Sequence, residues 1–237
     1  MKGLSEIKTR EQCNGCKLRS ETYFCSLPDH EFDDLSVRKI AHAYPKGSTL
    51  FVEGQPAHGV YILCFGRVKL STYSQEGRSL IVRIAEPGEV LGLSACIAGV
   101  SFEATAKAIA DCQVNFVSRK DFVELLKNDC NAALNAIREL SRLYHKAHTL
   151  ICSLGLSGSA GEKLANLFLG WCGPDDQRLT DVRIPMSFTH EEIAEMIGTS
   201  RETVTRLLRS FRERDLVRVE GRDLIVPDTR RLRSATS

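Results

Sequence analysis

The chain has 237 residues, a net charge of +2, 43% hydrophobic residues and 26% charged residues. Its length exceeds the ~100–150 residues of the commonest single domains, so we expect two compact units, with one large β-domain as the alternative. The composition argues against a disordered, collagen-like or membrane-spanning chain, and no apolar run reaches the ~18 residues that a bilayer requires. Because the charged N-terminus lacks the apolar core of a signal peptide, we expect a cytoplasmic protein with no membrane contact.

Nine cysteines are present, an odd number in a chain without an export signal. This count argues against a disulfide framework and favours reduced thiols or metal ligands. Three of the nine, Cys13, Cys16 and Cys25, lie within the first 30 residues. We therefore set this segment apart as a cysteine-containing arm.

Residues from about Ala43 to Phe122 form short extended runs separated by glycines. Glycine suits tight turns in which φ is positive, and runs of this length between turns are typical of β-strands. The pattern predicts an antiparallel β-barrel or roll. The predicted strands cover residues 49–52, 60–64, 68–71, 80–84 and 114–117.

From residue 119 to about 154 the pattern changes to a heptad stripe, in which apolar residues recur at alternating spacings of three and four. Such a stripe on one long helix predicts a parallel coiled-coil dimer, and the alternative is that it packs on its own β-domain. Glycines and serines at 153–161 then predict a hinge or boundary. The predicted dimer interface consists of Ala133, Ile137, Leu140, Tyr144, Ala147 and Ile151.

The last third is predicted to be helical up to Arg214. Residues 189–192 fit a capping box that opens a short helix, and Gly198 fits its C-terminal cap. Residues 199–202 fit a second capping box, which opens a helix that runs to about Arg214. Two short helices joined by a glycine turn are typical of a helix-turn-helix, and residues 217–226 predict a β-hairpin wing beside it.

The second of these helices separates its polar from its apolar residues completely. A polar face rich in arginine suits a major-groove reader, because arginine can donate two hydrogen bonds to guanine and glutamate can accept one from cytosine. The alternative is a solvated amphipathic helix in which Glu202 pairs with Arg206. The polar face consists of Arg201, Glu202, Thr205, Arg206, Arg209 and Arg212.

The run at 189–208, THEEIAEMIGTSRETVTRLL, closely resembles the helix-turn-helix of the CRP/FNR family of bacterial transcription regulators. Residues 51–54, 61–68, 87–92 and 105–108 resemble the cyclic-nucleotide-binding-type β-roll of that family. The resemblance implies an α+β fold with an antiparallel β-roll, a long dimerisation helix and a C-terminal winged helix-turn-helix. The implied segments are the arm at 1–30, the sensor roll at 31–122, the dimerisation helix at 123–156 and the DNA-binding domain at 157–237.

The resemblance also implies a homodimer that binds palindromic double-stranded DNA, with RNA polymerase as a further partner. Arg201 favours a TGTGA-like half-site over TTGAT, because the FNR version of the motif lacks arginine there. The implied DNA contacts are Ser200, Arg201, Glu202, Thr205, Arg206 and Arg209.

The cyclic-nucleotide cassette departs from the pattern of the cAMP-binding members. Those members use a glutamate for the ribose and an arginine for the phosphate, where this chain has Leu93 and Phe102. Glu103 replaces a serine of the same cassette, and its carboxylate would repel an anionic phosphate that no arginine compensates. We therefore expect the chain not to sense cAMP.

The cysteine arm resembles the arm that holds a [4Fe-4S] cluster in FNR-type oxygen sensors. Thiolates suit iron because sulfur is a soft anionic ligand, and a CxxC turn places two of them on one side. Asn115 stands where the family has its fourth cysteine, and Cys112, three residues earlier, would face the opposite side of a strand. The alternatives are a thiol redox switch, zinc, another small-molecule signal, a ligand-independent regulator or simple ordering of the arm. The candidate ligands are Cys13, Cys16, Cys25 and Cys112. Cys96 or another group is the alternative to Cys112 as the fourth ligand.

We expect the protein not to be an enzyme. The chain contains no GxSxG, P-loop, HExxH or GxGxxG pattern, and its six histidines are scattered without a partnered nucleophile. A ligand-binding adaptor that has lost DNA binding is another class, and the intact arginine face argues against it.

Overall fold

The computed structural model describes residues 38–172, 180–186, 188–221 and 223–234, together with Cys16, Leu18, Phe24 and Cys25. These residues divide into two compact units, one with the residues up to 74 and 81–146, the other with 75–80 and those from 147 onward. The strands pair antiparallel, and most of them follow one another without an intervening helix, so the fold is α+β as predicted. No helix within the described ranges is both long and apolar enough to cross a bilayer.

The first unit is a roll of two antiparallel sheets, and all five strands predicted from the sequence are confirmed within a few residues. Its strands are β1 (Ile40–Tyr44), β2 (Thr49–Phe51), β3 (Gly59–Phe65), β4 (Val68–Tyr73), β5 (Ser79–Ala85), β6 (Val90–Leu91), β7 (Thr105–Ala108) and β8 (Cys112–Ser118). One sheet has the order β1-β8-β3-β6 and the other the order β2-β7-β4-β5. The roll also includes α1 (Leu93–Ala98), α2 (Arg119–Asn128) and the first part of α3 (Cys130–Leu156).

Strand β3 contributes to two separate cores, because successive residues of a strand face opposite sides of the sheet. Leu63 belongs to the interior core of the roll, whereas Val60 and Ile62 belong to an outer core that also includes residues of α2 and α3. The interior core includes Leu50, Phe51, Leu63, Val68, Leu91, Phe102, Cys112 and Val114. The outer core includes Phe24, Val60, Ile62, Val90, Leu93, Cys96, Val117, Phe122, Leu125, Ala132 and Ala136.

Phe24 of the N-terminal arm is a fully buried member of the outer core. Its ring centroid lies 5.5 Å from that of Phe122 in α2. The next residue, Cys25, is partly buried and packs against the same core. The chain at residues 24 and 25 is therefore held on the outer side of the sheet.

Helix α3 confirms the predicted long helix but divides the predicted seam between two environments. Ile137, Tyr144 and Ile151 are 61%, 67% and 68% exposed, and they recur every seven residues. Leu140 instead packs against the outer core, and Ala133 and Ala147 are partly buried. The opposite side of the helix, with Ala132, Ala136 and Glu139, is buried. The stripe residue Leu140 thus packs on the roll, as the alternative interpretation predicted, whereas the three exposed residues do not.

The second unit is a helical domain with a three-stranded antiparallel sheet of order β10-β11-β9. Its elements are α4 (Ala160–Trp171), β9 (Thr180–Pro185), α5 (His190–Ile197), α6 (Arg201–Glu213), β10 (Arg218–Glu220), β11 (Asp223–Asp228) and α7 (Thr229–Ser234). The predicted hairpin wing is confirmed as β10 and β11. The expectation of helix throughout up to Arg214 was wrong, because β9 pairs with β11 and places Ile184 opposite Leu224. The break between the helices is shorter than the predicted boundary at 153–161, since α3 ends at Leu156 and α4 begins at Ala160.

The helix caps are confirmed at α5 and corrected at α6. Thr189 and Glu192 form a reciprocal capping box, and Gly198 ends α5 in the left-handed conformation. Helix α6 begins one residue later than predicted, because Ser200 rather than Thr199 caps it by accepting a hydrogen bond from the Thr203 N–H. Glu202 therefore lies in the first turn without closing a capping box.

Candidate functional site

The exposed face of α6 is the first candidate site. Val204, Leu208 and Phe211 are buried, which fixes the helix on the domain and leaves the opposite face outward. The buried and exposed residues separate as the sequence predicted. The exposed residues of this face are Arg201, Glu202, Thr205, Arg206, Arg209 and Arg212, with the exposed cap residue Ser200 at its start.

Glu202 is not engaged with Arg206 as the amphipathic-helix alternative required. Hydrogen bonds from its own backbone N–H and with Ser200, together with the charge of Arg201, hold the pKa of this carboxyl below its usual range. Arg209 pairs with Glu213 at 2.9 Å, with both side chains largely exposed, and such exposed pairs contribute only about 0–1 kcal/mol. The face thus presents an ionised acceptor among guanidinium donors.

Two contacts within this domain were not predicted. His190, the first residue of α5, has its Nδ1 3.0 Å from the Oγ1 of Thr205. Asp215, which follows α6 with a positive φ of 54°, accepts a 2.9 Å hydrogen bond from Arg218 at the start of the wing. The first pair joins two helices across 15 positions of the chain, and the second joins the turn after α6 to the wing across three.

One residue of the segment that matches the cyclic-nucleotide cassette, Phe102, lies in an aromatic cluster inside the roll. Phe102 is 5% exposed, and its ring stacks on Phe51 with centroids 3.9 Å apart. Tyr61 lies 5.3 Å from Phe51 and 5.1 Å from Phe116. Phe102 also approaches Gly92 so closely that a Cβ at that glycine would lie 2.6 Å from the ring.

The other two cassette positions carry no cationic group either. Leu93 is buried in the outer core, and Glu103 accepts a 3.0 Å hydrogen bond from the Ser94 hydroxyl. An arginine donor is what a phosphate needs at such a site. The three residues Leu93, Phe102 and Glu103 thus supply two apolar side chains and one anion.

In the described part of the chain, the cysteines of the predicted metal site do not come together as a set of three. Cys13 lies outside the described residues, while Cys16 and Cys25 are partly buried. Cys112 is fully buried in the interior core, and its thiol donates to the carbonyl oxygens of Arg67 and Ala110 at 3.3 and 3.2 Å. Burial raises the pKa of the Cys112 thiol.

The sheet separates Cys112 from Cys25, because the first lies in the interior core and the second against the outer core. Asn115 pairs with Ile62, an outer-core residue, so position 115 faces the same side as Cys25. Cys112 and Asn115 face opposite sides of the sheet because they are three residues apart on one strand. Among the described residues, no group of three histidine, cysteine or acidic side chains is placed to hold a metal.

A buried charge cluster, formed by Arg83, Glu89, Glu139, Arg142 and Lys146, joins the roll to α3. The Glu89 side chain is only 9% exposed, and it accepts hydrogen bonds from Arg83, from Arg142 at 3.0 Å and from Lys146 at 3.0 Å. Arg142 also donates to both oxygens of Glu139, at 2.9 and 2.6 Å. No sequence pattern predicted this cluster, since it joins two segments, residues 83–89 and 139–146, that are far apart in the chain.

The charges of the cluster stabilise one another against the effect of burial. Burial raises the pKa of Glu89, but the charge of Arg83 and the hydrogen bond from Arg142 outweigh it, so the pKa lies below the usual 4.5. Burial lowers the pKa of Arg83, and hydrogen bonding to Glu139 raises that of Arg142. Glu89 and Arg142 are therefore ionised at neutral pH.

Two family models match the chain and together cover more than half of it. Residues 41–129 match the cyclic nucleotide-binding domain, and residues 162–235 match the Crp-like helix-turn-helix domain. The first match includes the roll and α2, and the second includes α4 to α7.

Curated relatives and solved structures agree with these matches. The chain is 25% identical over 189 residues to the CRP-like cAMP-activated global transcriptional regulator of Mycobacterium tuberculosis, covering 80% of this chain and 84% of that protein. It is 25% identical to the cAMP-activated global transcriptional regulator CRP of Salmonella typhimurium, covering 80% and 90%. The structure of FixK2 from Bradyrhizobium japonicum has the same fold, with a TM-score of 0.71, 24% identity and coverage of 84% and 98%.

The order of the elements, the two domain matches and the relatives all lead to one family. These relatives are transcription regulators and not enzymes, in agreement with the expectation from the sequence. With its β-roll, its long helix and its winged helix-turn-helix, the chain is a DNA-binding transcription regulator of the CRP/FNR family.

Proposed function

We propose that two copies of the chain bind a palindromic DNA duplex, with the α6 helix of each copy in the major groove. The observation that carries this proposal is the α6 face itself, where after the cap residue Ser200 every exposed residue but Thr205 is charged. Major-groove edges offer guanine acceptors and cytosine donors that match arginine and ionised glutamate. Two half-sites one helical turn apart, ~34 Å, suit a dimer of such domains.

The dimer forms through the exposed stripe of α3. Ile137, Tyr144 and Ile151 are each about two-thirds exposed, which leaves a row of apolar side chains uncovered in a single chain. A second α3 in parallel would cover the row in the manner of a coiled coil. The relatives belong to a family that works as dimers on DNA, and the exposed stripe supports the same assembly here.

Three side chains of α6 read bases in this proposal. Arg201 and Arg206 donate to guanines and Glu202 accepts from a cytosine, which favours a TGTGA-like half-site. Arg209 instead holds a phosphate, a role that contributes affinity without sequence preference. The hydrogen bonds that keep Glu202 ionised support its role as an acceptor.

The experiment is selection of bound DNA sequences by the wild type and by Arg206→Ala and Glu202→Ala at fixed salt. Each variant should lose about 1–3 kcal/mol of discrimination at one base pair and keep its preference elsewhere. Arg209→Ala is the matched control on the same helix, and it should lower affinity for all sequences alike. If the first two variants lose affinity without relaxing any base preference, the face contacts only the backbone.

We propose further that cAMP is not the signal of this regulator, although the curated relatives named above are cAMP-activated. The aromatic cluster of Phe51, Tyr61 and Phe102 supports this, because its rings occupy the interior of the roll beside the matched cassette. Glu103 adds a negative charge where a phosphate would have to bind. The residues that differ from the cAMP-binding pattern and the packing of the rings thus both argue against cAMP as the signal.

The N-terminal cysteines are the proposed source of the signal, through an oxygen-sensitive iron-sulfur cluster or, as alternatives, zinc or thiol oxidation. The position of Cys25 against the outer core supports a role for the arm, since that core includes Ala132 and Ala136 of α3. Cys112 does not fit as the fourth ligand, because it faces the opposite side of the sheet. A cluster here would use Cys13, Cys16, Cys25 and a ligand other than Cys112.

Absorbance, iron, sulfide and zinc measurements on protein purified without oxygen test this proposal. A brown chromophore that bleaches in air and is lost in Cys16→Ser and Cys25→Ser supports the cluster. Cys112→Ser and Cys152→Ser are controls that should leave the chromophore intact. Colourless, iron-free protein after anaerobic reconstitution contradicts the cluster, and stoichiometric zinc would assign the site to that metal.

A further inference from the structure

Thr205 stands out on the α6 face because it is the uncharged residue in a set of charged ones. It is exposed, and its neighbours one turn away along the same face are Arg201 and Arg209. Its hydroxyl is nevertheless engaged within the protein. The Oγ1 atom lies 3.0 Å from the backbone oxygen of Arg201 and 3.0 Å from the Nδ1 of His190.

The protons of this arrangement can be assigned from the chemistry of the three atoms. A carbonyl oxygen only accepts, so the Thr205 hydroxyl donates its one proton to the oxygen of Arg201. The contact with His190 then requires a donor on the imidazole, which is the Nδ1–H. The hydroxyl thus donates one hydrogen bond and accepts another, and both partners belong to the protein.

The backbone of His190 begins a helix with a well-defined start. It is the first residue of α5, directly after Thr189, whose capping box with Glu192 sets the start of that helix. Its side chain is partly buried. The imidazole therefore reaches from a well-defined helix start to the neighbouring helix α6.

We propose that His190 is a positioning residue, which turns the hydroxyl of Thr205 inward so that its γ-methyl group faces the base edges. The inference rests on the proposed function, in which α6 lies in the major groove. Thymine is the base that presents a methyl group in that groove, and a threonine methyl is a suitable contact for it. Thr205 in this state selects thymine at one position of the half-site.

Loss of His190 has a specific consequence in this scheme. Without the imidazole the Thr205 side chain can rotate, so that Oγ1 leaves the carbonyl oxygen of Arg201 and accepts from adenine N6 or cytosine N4. The backbone hydrogen bonds of α6 do not use this hydroxyl, so the helix stays intact. His190→Ala should therefore relax the preference for thymine at one position without changing the positions read by Arg201, Glu202 and Arg206.

The experiment compares duplexes of the selected half-site in which each deoxythymidine in turn is replaced by deoxyuridine, a change that removes only the methyl group. At one position the wild type should bind the deoxyuridine duplex about fourfold more weakly per half-site, as expected for one buried methyl. Thr205→Val keeps the methyl and should keep this sensitivity. Thr205→Ser removes the methyl and should lose it, and His190→Ala should reduce it.

Far-UV circular dichroism and the fluorescence of Trp171 establish that each variant is folded. Equal binding of deoxythymidine and deoxyuridine by the wild type at every position would overturn the inference, as would a Thr205→Ser variant that keeps the sensitivity. These failures differ from a failure of the proposed function. In that case Arg206→Ala and Glu202→Ala would leave the base preferences unchanged, whatever the methyl substitutions do.

Discussion

Replacing Glu89 by glutamine tests the buried charge cluster between the roll and α3. The substitution keeps the size of the side chain and removes the charge that faces three cations. Of these, Lys146 is 46% exposed and can be rehydrated, and Arg142 keeps its two hydrogen bonds to Glu139. Arg83, only 15% exposed, is left buried without its carboxylate.

Breaking a buried ion pair by removing one partner destabilises a protein by about 3–5 kcal/mol. Because one of the three cations is stranded, we expect the lower end of that range. Urea unfolding at pH 7, followed by far-UV circular dichroism, measures the free energy of unfolding. Glu76→Gln is the control, since the Glu76 and Arg78 side chains are 72% and 80% exposed and such a pair contributes about 0–1 kcal/mol.

The difference in free energy of unfolding between the wild type and Glu89→Gln should also depend on pH. The pKa of Glu89 is lowered in the folded protein from its usual 4.5, so its contribution to stability is present above that value and disappears as the pH falls through the folded-state pKa. The wild type should therefore exceed Glu89→Gln in stability at pH 7, and the difference should shrink below pH 4.5. Adding Arg83→Met should recover part of the loss, because it removes the stranded cation.

A Glu89→Gln protein that unfolds at the same urea concentration as Glu76→Gln would refute the reasoning. So would a stability difference that stays constant between pH 7 and pH 3. Either result would mean that water or another group already compensates Arg83 in the folded state.

Three further outcomes are expected. Calorimetric titration with cAMP should give no micromolar binding, because Phe102 and its stacking partners occupy the interior of the roll; micromolar binding with nucleotide-dependent DNA affinity would contradict this. Tyr144→Glu should weaken the dimer by about 2 kcal/mol, which is ~30-fold in the dissociation constant measured by analytical ultracentrifugation. The control Tyr73→Glu, at a tyrosine exposed in the roll, should leave the dissociation constant unchanged. Gly92→Ala should lower the free energy of unfolding by about 1–3 kcal/mol more than Gly54→Ala, because both glycines have positive φ but only Gly92 faces a ring; equal losses would show that the ring moves aside freely.

The features that sequence patterns predicted are those that depend on residues close together in the chain. The strands of the roll, the capping box at Thr189 and the cap at Gly198 belong to this group, because turns and caps are formed within a few residues. The exposed face of α6 was predictable for the same reason. Its angular pattern repeats over 13 residues, long enough to separate the two sides of a helix.

The features that were missed depend on contacts across the fold. Strand β9 exists because it pairs with β11, and the paired residues are 38 to 48 positions apart in the chain. Glu89 and Arg142 meet although 53 positions separate them. The heptad stripe shows a related limit, since Leu140 and Tyr144 obey the same periodicity while one packs on the roll and the other is exposed.

The burial of Phe24 bears on how this protein can be divided into fragments. The family match to the roll starts at residue 41, and the expected start of the roll at residue 31 also leaves Phe24 out. A fragment cut at either place lacks a ring that fills the outer core beside Phe122 and Val60, and loss of a buried phenylalanine costs about 3–5 kcal/mol. The apolar surface thus uncovered would favour aggregation, so a soluble sensor fragment should begin before Phe24.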